Sequence, residues 1–230
     1  MPDNALKALI RKTETGKTDP AVQYETIIGH NQNKLAKPLT QMTVGEIIAA
    51  SDVWRKRFGT TSGAAGAYQI IKPTLVGLAK QLGIDLGEKF TPELQDRMAD
   101  QLLATRGLGA FLRGTITVEA FGNAIAREWA SFPVLSTSRR GETVLKRGQS
   151  YYDKFAGNSA LIKPEVVEAT LLQLRAPTPG TGPAYRPGDA DEPAPVVPEV
   201  VPVMEAIDWV LIGAAVLFVA FLVAVFVWLF

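Results

Sequence analysis

The sequence predicts a mainly α-helical head, a proline-rich tether and a single C-terminal transmembrane helix, on three observations. Residues 3–160 show helical apolar periodicities broken by caps and glycine-containing turns, with few alternating β-branched runs. Residues 176–202, APTPGTGPAYRPGDADEPAPVVPEVVP, carry prolines at 177, 179, 183, 187, 193, 195, 198 and 202 and almost no bulky core material. Such a stretch cannot bury enough surface to fold and tends towards extended polyproline II, with a reach of up to about 80 Å. Residues 209–230, WVLIGAAVLFVAFLVAVFVWLF, hold no charge, and as a helix they would run about 33 Å, enough to cross a hydrocarbon core. The expected organisation is therefore a head over 1–160, a further amphipathic helix over 161–175, a tether over 176–207 and a membrane helix over 208–230.

The elements follow in order. The first helix is expected over 3–14, capped by Asp3 or Asn4 and stopped by Gly16. Its residues Leu6, Ile10 and Glu14 recur at spacing four and share one face. Further helices are expected over 43–50, 73–82, 91–105, 117–130 and 140–154. Val167, Leu171 and Leu174 give residues 163–175 one more apolar face. Trp209 and Trp228 stand near the two ends of the apolar tail, where amphipathic rings favour the membrane–water boundary.

Composition excludes several chemistries. The chain has 24 Lys and Arg against 23 Asp and Glu, a formal charge of +1, and no basic stripe, so no nucleic-acid partner is expected. With no cysteine there is no thiol nucleophile, disulfide framework or Cys-based metal site. His30 is the single histidine, and it reads as a surface or turn residue after Gly29. No metal and no cofactor is expected. The N-terminus, MPDNALKALIRKTETG, interleaves apolar residues with Lys7, Arg11 and Lys12 and forms no apolar core of a signal peptide.

Candidate chemistry gathers in three segments. A carboxylate that continues an apolar stripe at a helix end is partly buried, and desolvation raises its pKa towards what a general acid needs near neutral pH. That singles out Glu14, against the plainer reading of a solvated surface charge. Ser62-Gly63-Ala64-Ala65-Gly66-Ala67-Tyr68-Gln69-Ile70-Ile71 combines small residues, which let backbone approach a ligand, with a ring, a hydroxyl and an amide suited to a sugar. A tight turn anchored by Tyr68 explains the same residues. Glu128-Trp129-Ala130-Ser131-Phe132-Pro133 closes the helix over 117–130, and Trp129 reads first as core and second as a ring to stack on a sugar face.

In order along the chain, K-T-E-T-G, S-G-A-A-G-A-Y-Q-I-I, F-T-P-E-L-Q-D at 90–96, L-L-A-T-R-G-L at 102–108, E-W-A-S-F-P and G-Q-S-Y-Y at 148–152 resemble the lambda-endolysin-like phage muramidases and lytic transglycosylases of the lysozyme-like superfamily. The resemblance covers about residues 4–155. It implies a lysozyme-like helical domain and a peptidoglycan glycan strand as substrate, cleaved at the β-1,4 bond from N-acetylmuramic acid to N-acetylglucosamine. Glu14 matches the family's catalytic glutamate, Tyr68 and Gln69 its Tyr-Gln pair lining the glycan cleft, and Trp129 and Ser131 its Trp-Ala-Ser segment, structural as much as binding. Many relatives look like G-R-Y-Q where this chain has Gly66-Ala67-Tyr68-Gln69, so a contact with an anionic part of the substrate is expected to be lost. Arg139, Arg140, Lys146 and Arg147 are candidates to replace it, or simply solvated charges.

Glycosidases commonly use two carboxylates. Asp19 and Glu25 are the sequence neighbours of Glu14, and no motif singles out either. A lytic transglycosylase needs only one acid, and the resemblance favours that route over hydrolysis. The rivals are a non-catalytic membrane-anchored glycan-binding or virion module, supported by Ala67, and a pore-former, which a helix with no polar face serves poorly. A wall-cleaving head without an export signal starts on the side of the membrane away from its substrate. Expected settings are therefore a virion membrane or the host inner membrane, with the bilayer and other phage particle or lysis proteins as partners and a C-terminal single-pass anchor.

Overall fold

The computed structural model describes residues 4–153 and 159–175. The expected tether and membrane helix lie outside these residues. Among the described residues, no helix is long and apolar enough to cross a membrane.

The described chain is mainly helical, with helices α1 (Ala5–Thr15), α2 (Pro20–Glu25), α3 (Val44–Phe58), α4 (Lys72–Leu82), α5 (Pro92–Thr105), α6 (Leu108–Leu112), α7 (Val118–Glu128) and α8 (Pro164–Arg175) and one two-stranded hairpin between α7 and α8, β1 (Ser138–Arg140) and β2 (Thr143–Leu145). Local sequence explains most boundaries. The Asn4 side chain accepts from the Lys7 N–H at 2.9 Å to start α1, and Gly16, in the left-handed region at φ +65°, ends it. Thr43 and Glu46 form a reciprocal capping box at the start of α3. Thr91 and Thr117 cap α5 and α7 by accepting from the Leu94 and Ala120 N–H groups.

Three expectations need correction. Residues 140–154 do not form a helix. Arg140-Gly141-Glu142-Thr143 makes the tight turn of an antiparallel hairpin, with Gly141 at φ +53°, and Ser138 faces Leu145 across it. A glycine at the first turn position and β-branched Thr143 and Val144 after it suit a hairpin better than a helix. The third helix runs on to Phe58, well past residue 50, because Trp54 buries itself and Gly59 supplies the stop. Two short helices, α2 and α6, were not expected.

The core is built from α1, α5, α6, α7 and α8, with α3 and α4 packed on each other and α4 on α5. Leu6 and Ile10 of α1 are fully buried, as their spacing predicts. Phe111 and Phe121 stack with centroids 4.7 Å apart. Helix α8 packs on α1, α6 and α7 and buries Val167 and Leu171, while Arg147 from the loop after β2 binds both Glu165 and Glu168 on it.

Candidate active site

Glu14 lies in the last turn of α1, on the face that carries Leu6 and Ile10 inward. Its carboxylate accepts a hydrogen bond from the Ser131 hydroxyl, and the Ser131 backbone also bonds it. Both bonds favour the charged form. Burial acts the other way and is larger, and the negative charge of Glu128 adds to it, so the Glu14 pKa is pushed up to about 7. A carboxyl that holds its proton near neutral pH and can still release it is what acid-then-base chemistry requires.

The segment that delivers Ser131 is pinned throughout. Trp129 donates its ring N–H to the Tyr68 carbonyl at 3.2 Å. The Tyr152 hydroxyl donates to the Arg127 carbonyl (2.8 Å), the Ser150 hydroxyl to that of Ala130 (2.6 Å) and the Leu161 N–H to that of Ser131 (2.8 Å). Segments more than a hundred residues apart in sequence thus converge on one carboxyl.

Tyr68 and Trp129 are 1% and 3% exposed, so neither offers a ring face to a ligand in this structure. The Tyr68 hydroxyl donates to Asp96 at 2.6 Å and accepts from Arg11 at 3.1 Å, and burial together with Asp96 pushes its pKa far up. Asp96 also accepts from Tyr24 at 2.8 Å and faces Lys7 at 3.4 Å and Arg11 at 3.8 Å. Lys7 and Arg11 are 0% and 3% exposed, an interior placement for two cations. Their partners Asp96 and Asp100 sit on α5, so this cluster ties the helix carrying Glu14 to the next layer.

Gln69 turns inward as well. It is a non-glycine residue at φ +47°, and its amide donates to the carbonyls of Gly66 (2.8 Å) and Thr26 (3.3 Å), closing the turn on itself. Left-handed backbone in such a residue costs on the order of 1 kcal/mol, and strain of this kind clusters at functional sites. The turn leaves no room at Gly66, where a Cβ would sit 2.3 Å from Gln95 Oε1. The Gln95 side chain, fully buried, accepts from the Ala67 N–H at 2.8 Å and donates to the Tyr24 and Phe90 carbonyls. Ala67 is itself fully buried, so position 67 faces the interior and not a substrate.

The sequence neighbours of Glu14 have other work. Asp19 caps α2 by accepting from the Ala21 N–H at 2.9 Å, and Glu25 accepts from the Thr40 hydroxyl and N–H. The carboxylate whose charge reaches Glu14 is instead Glu128, which sequence reasoning passed over although it stands in the E-W-A-S segment. Of the basic residues offered for an anionic substrate, Arg147 is bound to α8 and to the Leu135 carbonyl, and Arg140 donates to the Tyr151 carbonyl; Arg139 and Lys146 are exposed. Among the described residues, no cluster of His, Asp and Glu could hold a metal ion.

No curated protein and no solved structure matches the chain. The family model described as Endolysin matches residues 45–159, half of the sequence. Tyr68, Gln69, Trp129 and Ser131 fall inside the match and Glu14 precedes it. On that match the chain belongs to the Endolysin family and is a phage enzyme that degrades peptidoglycan.

Proposed function

We propose that the protein is a lytic transglycosylase that cleaves the β-1,4 bond between N-acetylmuramic acid and N-acetylglucosamine, with Glu14 as its one acid. Protonated Glu14 gives its proton to the leaving glycosidic oxygen. As carboxylate it then takes the proton of the muramic acid C6 hydroxyl, whose oxygen attacks the anomeric carbon. The products are a 1,6-anhydromuramyl end and a new N-acetylglucosamine end, with no water consumed. Ser131 holds the acid in place, and its donors become stronger partners once the carboxylate forms.

The observation that carries this reading is a half-buried Glu14, its carboxyl desolvated so that the proton is retained to about pH 7, with a hydroxyl fixed on it. The commitments of Asp19 to a helix cap and of Glu25 to Thr40 support a one-acid route over a hydrolase with a second free carboxylate. Tyr68, Gln69 and Trp129 then serve the glycan site by shaping its wall from behind. Mass spectrometry of soluble products from purified peptidoglycan tests the choice. Anhydromuramyl ends support it, and reducing muramic acid ends would make the enzyme a hydrolase.

We further propose that residues 208–230 hold the head to a membrane, in the virion or in the host inner membrane, and that residues 176–207 give it reach to the wall. The length and purity of the apolar run support this.

A further inference from the structure

An ion pair joins the end of α5 to the end of α7, three residues before the serine that bonds Glu14. Arg106 follows α5 as its cap, and Glu128 is the last residue of α7. The guanidinium donates from Nε at 3.0 Å and from Nη2 at 2.8 Å, both to Oε2 of Glu128. The two side chains are 10% and 13% exposed, so solvent screens the pair only in part.

Its place gives it two effects. Glu128 opens the short segment that ends at Ser131, so Arg106 ties the entry of that segment to the end of α5, as Tyr152, Ser150 and Leu161 tie its carbonyls. Glu128 is also the charged group that acts on Glu14. The other charges around α1 are committed elsewhere. Lys7 and Arg11 face Asp96 and Asp100 of α5. On α2, Asp19 is a cap and Glu25 binds Thr40. On α8, Glu165 and Glu168 are bound by Arg147, and Arg175 lies over the Phe111 ring. Arg127 of α7 lies over Tyr151, while Lys12 is exposed and Lys17 follows in the loop.

We propose that Arg106 and Glu128 are a positioning pair for the Glu14 acid: Arg106 fixes the entry to the segment whose Ser131 bonds Glu14, and masks the Glu128 charge at that entry. The inference rests on Glu14 being the acid of the proposed reaction, but its test needs no turnover. Removing a neighbouring negative charge makes a carboxyl easier to ionise, and unmasking that charge makes it harder. The two partners therefore pull Glu14 in opposite directions, which a purely structural pair would not do.

The experiment is a carbon-13 titration of the Glu14 carboxyl in the full chain, in mild detergent, with melting temperatures recorded alongside. The titration midpoint falls in Glu128→Gln and rises in Arg106→Gln, each by on the order of half a pH unit. Arg106→Lys, which keeps the masking charge, stays near the wild type. Midpoints that coincide, or that move the same way in Glu128→Gln and Arg106→Gln, overturn the proposal. If Arg106→Gln does not fold, the near-isosteric Glu128→Gln decides alone. A wild type that titrates as expected but leaves peptidoglycan intact would remove the proposed activity and leave the pair standing.

Discussion

At the scale of single residues, the site turns on the contest between burial and hydrogen bonding at Glu14. Burial wins and the carboxyl is pushed up to about 7, with Ser131 opposing it. Replacing Ser131 by Ala removes a donor that favours the charged form, so the value rises further. The limb where activity falls with increasing pH then moves to higher pH, which a pH–kcat/KM profile reads directly. The same shift has a consequence for stability. A carboxyl with a raised folded value contributes fully below its ordinary value of 4.5, and that contribution is lost as pH rises through about 7. Glu14→Gln cannot ionise, so its melting temperature matches wild type near pH 4 and exceeds it at pH 8, by up to ~3 kcal/mol of stability. Thermal melts at the two pH values check this; a variant that is less stable at pH 8 contradicts the burial argument. The sequence made Glu14 legible because its spacing from Leu6 and Ile10 is a local property. It could not make the effect of the Glu128 charge legible, because residues 114 positions apart act on each other only in the fold.

At the scale of elements, two kinds of ion pair hold the helices, and they differ in weight. Asp96 serves Tyr24, Tyr68, Lys7 and Arg11 at once, and the two cations are almost wholly buried. Asp96→Asn keeps the shape but removes the charge these cations face, and is expected to cost about 3 kcal/mol in a urea titration. Arg147→Ala breaks the bonds from the hairpin loop to α8, but that arginine is 40% exposed and solvent already screens its pairs. It is expected to change stability far less. Equal losses would show that the buried cluster is not what ties α1 to α5. Caps explain why α1, α4, α5 and α7 were legible within a few residues. The hairpin was not, because its two strands have three residues each and Val144 lies exposed beside polar neighbours, so no clear period shows in so short a run. The burial of Lys7 and Arg11 was not legible either, because their partners on α5 meet them only in the fold.

At the scale of the molecule, the fold gathers motifs spread along the head onto one acid, and the tail is proposed to decide where that acid works. The full chain is expected in the membrane fraction of cells that express it, and residues 1–175 in the soluble fraction. Recovery of the full chain as soluble protein would contradict the anchor. The family match begins at residue 45, so the role of Glu14 stands on the site's geometry and the T-E-T-G resemblance together. The most direct test of the central claim is therefore the clearing of purified peptidoglycan by wild type and Glu14→Gln, followed by turbidity from pH 5 to pH 9. The account predicts that the wild type clears the walls and slows as pH rises above about 7, while the variant keeps the wild-type circular dichroism spectrum and clears nothing. Clearing by Glu14→Gln at the wild-type rate would mean that another group is the acid.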